Sequence, residues 1–302
     1  QDLLLKMKIA AESSEIDLKF TEPYFLDRKL SGGFDLFRTT KDLQDESSFE
    51  RKSFGAGLRL GFEYSDIFRQ RLRYRITREE VTDVASTASL AIQEQKGAAV
   101  KSEISQTLTY DGRDDLFLPT KGVVAKFNTD LAGLGGVVRY IRTDVKATKY
   151  FPITEKLIGS IGGSAGYIIG LGKNIRIVDR FFLGGPSLRG FSVAGVGPRD
   201  EATGDSVGGK FFYSGSAQVI FPIGLPNEFG IKGRMFSDIG SLSNSESTLA
   251  KITDEKSLRA SVGLGLSWRS PFGPVLIDFT KVLLKKDFDK TEFFRFDFGV
   301  MF

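Results

Sequence analysis

Few side chains carry chemistry at neutral pH, and this 302-residue chain lacks two of them: it holds no cysteine and no histidine. Thiol nucleophiles, disulfides, thiolate or imidazole metal sites and His-based triads are thereby excluded; no enzymatic role, cofactor or metal is expected. The net charge is equally uninformative, because 42 Lys and Arg against 38 Asp and Glu leave a formal +4, too slight for a nucleic-acid binder. One arginine stands out. It lies in the tract Phe181-Phe182-Leu183-Gly184-Gly185-Pro186-Ser187-Leu188-Arg189-Gly190-Phe191, followed by Gly197-Pro198. This tract is apolar and Gly-rich where an exposed loop should be polar, so it is expected to pack against something. Arg189 would then be buried, and a buried guanidinium needs a carboxylate or similar acceptor. The Gly-rich run Ile169-Gly170-Leu171-Gly172-Lys173-Asn174 lacks the spacing and following helix of a phosphate loop.

The elements that must position Arg189 are strands. In 258–269, Leu258, Ala260, Val262, Leu264, Leu266 and Trp268 alternate with Arg259, Ser261, Gly263, Gly265, Ser267 and Arg269; in 292–302, Phe294, Phe296, Phe298, Val300 and Phe302 alternate with Arg295, Asp297 and Gly299. Similar alternation predicts about fourteen strands, near 2–11, 15–23, 30–39, 53–64, 67–79, 101–111, 121–132, 136–151, 156–169, 209–222, 228–240, 257–269, 274–284 and 291–302. No run is long and apolar enough for a spanning helix, but 9 to 11 alternating residues per strand suit a transmembrane barrel. Period 2 alone does not separate apolar-out in lipid from apolar-in around a soluble core. Loop lengths favour the membrane: tight turns such as 270–274 and 222–227 alternate with longer loops at 40–52, 80–100 and 170–208, as in barrels with short periplasmic and long extracellular connections. The expected fold is all-β, one antiparallel transmembrane barrel over 1–302, with loop 170–208 folded into the lumen. Asp238, inward by the alternation, is the acceptor expected for Arg189. Arg69, Arg71, Arg73 and Arg75 should share the lumen face as solvated charge, or rise to the rim and meet lipopolysaccharide phosphate.

The tract Leu188-Arg189-Gly190-Phe191, after Leu183-Gly184-Gly185 and before Gly197-Pro198, resembles the signature loop of the outer-membrane assembly superfamily, to which BamA, TamA, mitochondrial and chloroplast homologues and two-partner secretion transporters belong. Four further matches follow in order along nearly the whole chain. Thr21-Glu22-Pro23-Tyr24-Phe25 is similar to an early turn, and Tyr110-Asp111 with Leu118-Pro119-Thr120-Lys121-Gly122 to a middle turn. Trp268-Arg269-Ser270-Pro271-Phe272-Gly273-Pro274 and the tract from Lys285-Lys286-Asp287 to Phe302 resemble the end of the BamA branch.

The resemblance implies a sixteen-stranded barrel preceded by a signal peptide and periplasmic POTRA domains, so the chain is expected to begin at the third family strand; a complete fourteen-stranded barrel is the alternative. It implies that Arg189 anchors the loop through Asp238 and a second acidic position, here Gln218, whose amide can still accept a hydrogen bond. Gly190 would allow close backbone approach and Phe191 fill an apolar niche. It also implies a lateral seam at the last strand, where Phe294, Phe296, Phe298 and Phe302 form a C-terminal recognition signal and Gly299 permits an inward kink. The expected function is an insertase in the bacterial outer membrane that folds nascent β-barrel proteins. Its expected partners are those clients, accessory lipoproteins reached through the POTRA region, lipopolysaccharide and phospholipid, with no nucleic acid. Alternatives are a TamA-like autotransporter-assembly barrel and a passive porin; a soluble sandwich would fold without detergent. The segment Lys285–Thr291 favours BamA over TamA, and the barrel alone is expected to receive clients poorly.

Overall fold

The computed structural model describes residues 1–298 apart from 11, 117, 246–250 and 272. Fourteen strands form one antiparallel sheet in near-sequential order: β1 (Asp2–Ala10), β2 (Ser13–Glu22), β3 (Leu30–Leu43), β4 (Phe49–Glu63), β5 (Phe68–Thr82), β6 (Gly97–Asp111), β7 (Gly122–Gly136), β8 (Tyr140–Pro152), β9 (Ile158–Gly170), β11 (Phe211–Pro222), β12 (Ile231–Ser243), β14 (Arg259–Ser270), β15 (Gly273–Leu284) and β16 (Phe294–Phe298). Two short strands, β10 (Arg199–Asp200) and β13 (Ile252–Thr253), pair with each other within the loops at one rim. No helix among the described residues is long and apolar enough to cross a membrane.

All fourteen expected strands are present, and several run further than their alternation suggests. The segment 40–52, expected as a loop, is mostly ladder: β3 and β4 stay paired up to Leu43 and Phe49, leaving one helical turn at Gln44–Ser47. Likewise β5 and β6 pair up to Val81 and Gly97. Charged residues such as Lys41, Asp42 and Glu50 read as loop in sequence, yet at a rim both faces of a strand tolerate polarity.

The structure resolves the ambiguity of period 2. On β14, Leu264 is 58% and Trp268 42% exposed, whereas Arg259 and Ser261 on the other face are 0% exposed. The same inversion holds on β15, where Phe279 is outward and Asp278 buried, and on β5, where Ile76 is outward and Glu79 buried. A soluble sandwich does the reverse, and an apolar exterior this extensive is stable only against lipid. This is a transmembrane barrel wall with a polar interior. Its core lies at one end, where wall residues such as Tyr140, Ile168 and Leu242 pack against Phe181, Leu183, Leu188, Phe191 and Val196 of the long loop.

Candidate functional site: a loop clamped inside the barrel

The loop after β9 enters the lumen because its own sequence supplies apolar side chains to bury. Leu188 and Phe191 are both 0% exposed, and burial of each contributes about 1.5–3 kcal/mol. Its backbone closes on itself: Gly185 N–H donates to Phe191 O at 2.8 Å, Gly184 N–H to Ser187 Oγ at 3.2 Å, and Val196 N–H to Leu183 O at 3.1 Å. Gly197 packs against Leu242, and Pro198 O accepts from Val207 N–H at 3.1 Å. At the tip, Gly190 sits at φ 93° with no room for a side chain, since a Cβ would lie 2.7 Å from Thr280 Cγ2 on β15. Only glycine combines that backbone angle with that approach.

This close approach delivers Arg189 to β11, β12 and β14. Its Nε donates to Asp238 Oδ2 at 2.7 Å and its Nη2 to Oδ1 at 2.8 Å, a bidentate fork. Nη1 donates to Gln218 Oε1 at 2.9 Å, Nη2 to Ser216 Oγ at 2.9 Å, and the backbone N–H to Asp238 Oδ2 at 3.2 Å. The guanidinium lies 3.5 Å from the centroid of the Phe236 ring, and Ser261 Oγ donates to Arg189 O. Gln218 thus takes the place sequence reasoning gave it, as an amide acceptor. Ser216 and Phe236 complete the clamp; both are on lumen faces, but nothing in the sequence distinguishes them from their neighbours.

The glycines on the lumen face of β14 also find a reason. Arg234 of β12 reaches across β14 to Asp278 of β15, Nη2 to Oδ1 at 2.6 Å. A Cβ on Gly265 would lie 2.0 Å from that same Oδ1, and one on Gly263 2.4 Å from the Phe236 ring. Side-chain-free positions on the middle strand therefore let its neighbours' long side chains meet.

Two more ionic anchors lie outside the sequence expectations. Asp179, 1% exposed, accepts from Lys101 Nζ on β6 at 2.7 Å and from Tyr140 on β8 at 3.3 Å, and Lys101 also faces Glu79 on β5 at 3.4 Å. Burial pushes the Asp179 carboxyl up, and Lys101 opposes that rise. The loop is thus pinned to β6 and β8 as well as to the β11–β12 strands of the Arg189 clamp. In sequence Asp179 stands between Arg176 and Arg180, so it reads as locally paired and not as a buried anchor. The second anchor is Arg259 with Asp289, both 0% exposed at the side chain, paired at 2.9 and 3.2 Å. It fixes the segment 285–293, which in turn grips the loop: Lys290 N–H donates to Gly195 O, Ser192 N–H to Lys290 O and Glu292 N–H to Gly190 O, at 2.9 to 3.0 Å.

That segment leads into β16. Phe294, Phe296 and Phe298 point outward and are exposed, and β16 pairs with β15 from Phe279↔Phe294 to Val275↔Phe298. Among the described residues, neither β1 nor β16 pairs on its other side. Gly299 and Phe302 lie outside the described residues. Arg69, Arg71, Arg73 and Arg75 occupy the inward-facing alternation of β5, and Arg73 and Arg75 line an internal cavity of about 430 Å³, the lumen placement expected of them rather than the alternative contact at the rim.

Comparison with known proteins places this arrangement. The chain is 30% identical to the outer membrane protein assembly factor BamA of Neorickettsia risticii over 97% of its length and 40% of that protein's. It is 38% identical to the sorting and assembly machinery component 50 homologue of Xenopus tropicalis over 48% of its length and 31% of that protein's. It therefore spans less than half of either relative. The crystal structure of BamA from Haemophilus ducreyi lacking POTRA domains 1–3 superposes with a TM-score of 0.86 at 24% identity, over 97% of this chain and 63% of that one, a likeness of fold. The Omp85 superfamily domain matches residues 1–302, and the chain, with its barrel wall and clamped loop, belongs to the Omp85 superfamily, whose members are barrels of the outer membrane.

Proposed function

We propose that the chain is the barrel of a bacterial outer-membrane protein assembly factor, of BamA type, that folds and inserts other β-barrel proteins without covalent catalysis. The observation that carries this reading is the Arg189 clamp, which holds an ordered, hydrogen-bonded loop in the loop-bearing end of the lumen and so obstructs an open solute path. An inserting strand brings unpaired N–H and C=O groups that lipid cannot satisfy, each at a cost of several kcal/mol. A sheet edge offers those groups partners by strand addition. The edge of β16 supplies it, outward phenylalanines keep it at membrane depth, and the segment 285–293 ties its position to the clamped loop. Clients are nascent outer-membrane barrels. Accessory lipoproteins would engage through the POTRA region that the family carries before the barrel, with lipopolysaccharide and phospholipid as surroundings.

The similarity to the Xenopus tropicalis protein favours a second reading, the same physical act in the mitochondrial outer membrane. The test is the folding rate of a urea-denatured small barrel client into vesicles, read by heat-modifiable gel migration. Vesicles bearing the chain should fold the client faster than empty vesicles, and Arg189→Ala should lose that gain. Rapid solute flux through the chain without client acceleration would instead make it a porin.

A further inference from the structure

The outward face of β3, β4 and β5 changes character near the loop-bearing rim in three successive rows. The lower row, Leu36–Ala56–Ile76, is apolar and exposed. Two residues up, the row is Arg38–Phe54–Arg78, with Phe54 63% exposed between two exposed arginines. The row above is Thr40–Lys52–Glu80, where Lys52 is neutralised by Glu50 at 2.7 Å and Asp83 at 3.7 Å. Among the described residues the side chains of Arg38 and Arg78 make no hydrogen bond or ion pair. Acidic side chains thus begin only above the arginines, and the lipid-facing apolar groups end in the arginines' own row, with Phe54 between them.

We infer that Arg38 and Arg78 form a binding site for the phosphate of an anionic lipid in the leaflet at this rim, with the Phe54 ring and the Leu36–Ala56–Ile76 row receiving its acyl chains. The two arginines are two strand spacings apart, about 10 Å, and their flexible side chains can converge on one tetrahedral phosphate above the ring. Guanidinium presents paired N–H donors that match phosphate oxygens, and the apolar row beneath restricts the site to an amphiphile. Elsewhere, Lys281 stands alone on the outward face of β15 with Leu283 above it and Phe279 below, so the paired site belongs to the β3–β5 sector.

The inference rests on the barrel fold, independently of the assembly function. Its test is native mass spectrometry of the folded chain in detergent, titrated with phosphatidylglycerol or phosphatidylcholine. One cation near an anionic lipid surface contributes about fivefold in preference. Wild type should favour phosphatidylglycerol, each of Arg38→Gln and Arg78→Gln should lower that preference about fivefold, and the double variant should abolish it. Lys149→Gln, an outward cation near the opposite rim, should leave it intact. Both arginines are exposed and unpaired, so the variants should migrate as folded barrels; if the double variant does not, the single variants decide. Equal binding of the two lipids, or a double variant that keeps its preference, would overturn the site. Competition by inorganic phosphate at the same concentration as the lipid would show a bare anion site and overturn the assignment to lipid.

Discussion

Arg189 shows how much one largely enclosed charge can organise when its partners are complete. Removing it leaves Asp238, 3% exposed, without a cation, and breaking one side of such a pair costs about 3–5 kcal/mol. Arg189→Ala should therefore lower the temperature at which the compact gel band converts to the unfolded one. Gln218→Glu should do the opposite, because a hydrogen bond to a charged group is worth roughly 1 kcal/mol more than a neutral one. If the transition temperature stays unchanged in Gln218→Glu, the 2.9 Å contact to Nη1 carries no weight. A different residue reports on pH. Asp114, in the turn between β6 and β7, accepts from the Thr120 hydroxyl and the Lys121 and Thr120 amides, which hold its carboxyl down at about 2. A depressed carboxyl stabilises the fold above its unfolded value of about 3.8, and the benefit fades as pH falls to about 2. The gap in unfolding midpoint between wild type and Asp114→Ala should therefore shrink through that window; a gap constant from pH 5 to pH 2 would refute it. Arg189 and Asp238 were legible in sequence because a charge amid apolar residues demands a partner. Ser216 and Phe236 were not, because a lumen face offers many polar and apolar residues and only the fold selects among them.

At the scale of elements, alternation revealed every barrel strand, while strand ends were obscured. Lys41, Asp42 and Glu50 belong to the β3–β4 ladder, but above the lipid boundary the period no longer distinguishes two faces, so a strand there reads as loop. β10 and β13 were invisible for another reason: two residues each are too few for any period. The glycines of β14 were legible as a small lumen face but not as a passage for Arg234. Replacing Gly265 by Val should cost about 1–3 kcal/mol through overpacking, because the new side chain collides with the Asp278 carboxylate, at 2.0 Å from the Cβ position. Urea titration would read the loss. Unchanged stability would mean that Arg234 and Asp278 can part without consequence.

Across the whole molecule, the polarity is inverted and the core sits at one end. Two ionic anchors, Arg189 with Asp238 and Asp179 with Lys101, tie the loop to β12 and β6, while Arg259 with Asp289 ties the segment that starts β16 to β14, and backbone hydrogen bonds join that segment to the loop. The signature loop is thereby in mechanical contact with the sheet edge where strand addition is proposed. The most direct measurement puts a photoreactive side chain at Phe296, on the outward face of β16, and another at Leu264 as a control on β14, in vesicles folding a small barrel client. Strand addition at β16 predicts a crosslink from position 296 to the client's C-terminal strand, lost with Arg189→Ala, and none from position 264. Equal crosslinking at both positions, or none at 296 while the client folds faster, would contradict strand addition at this edge.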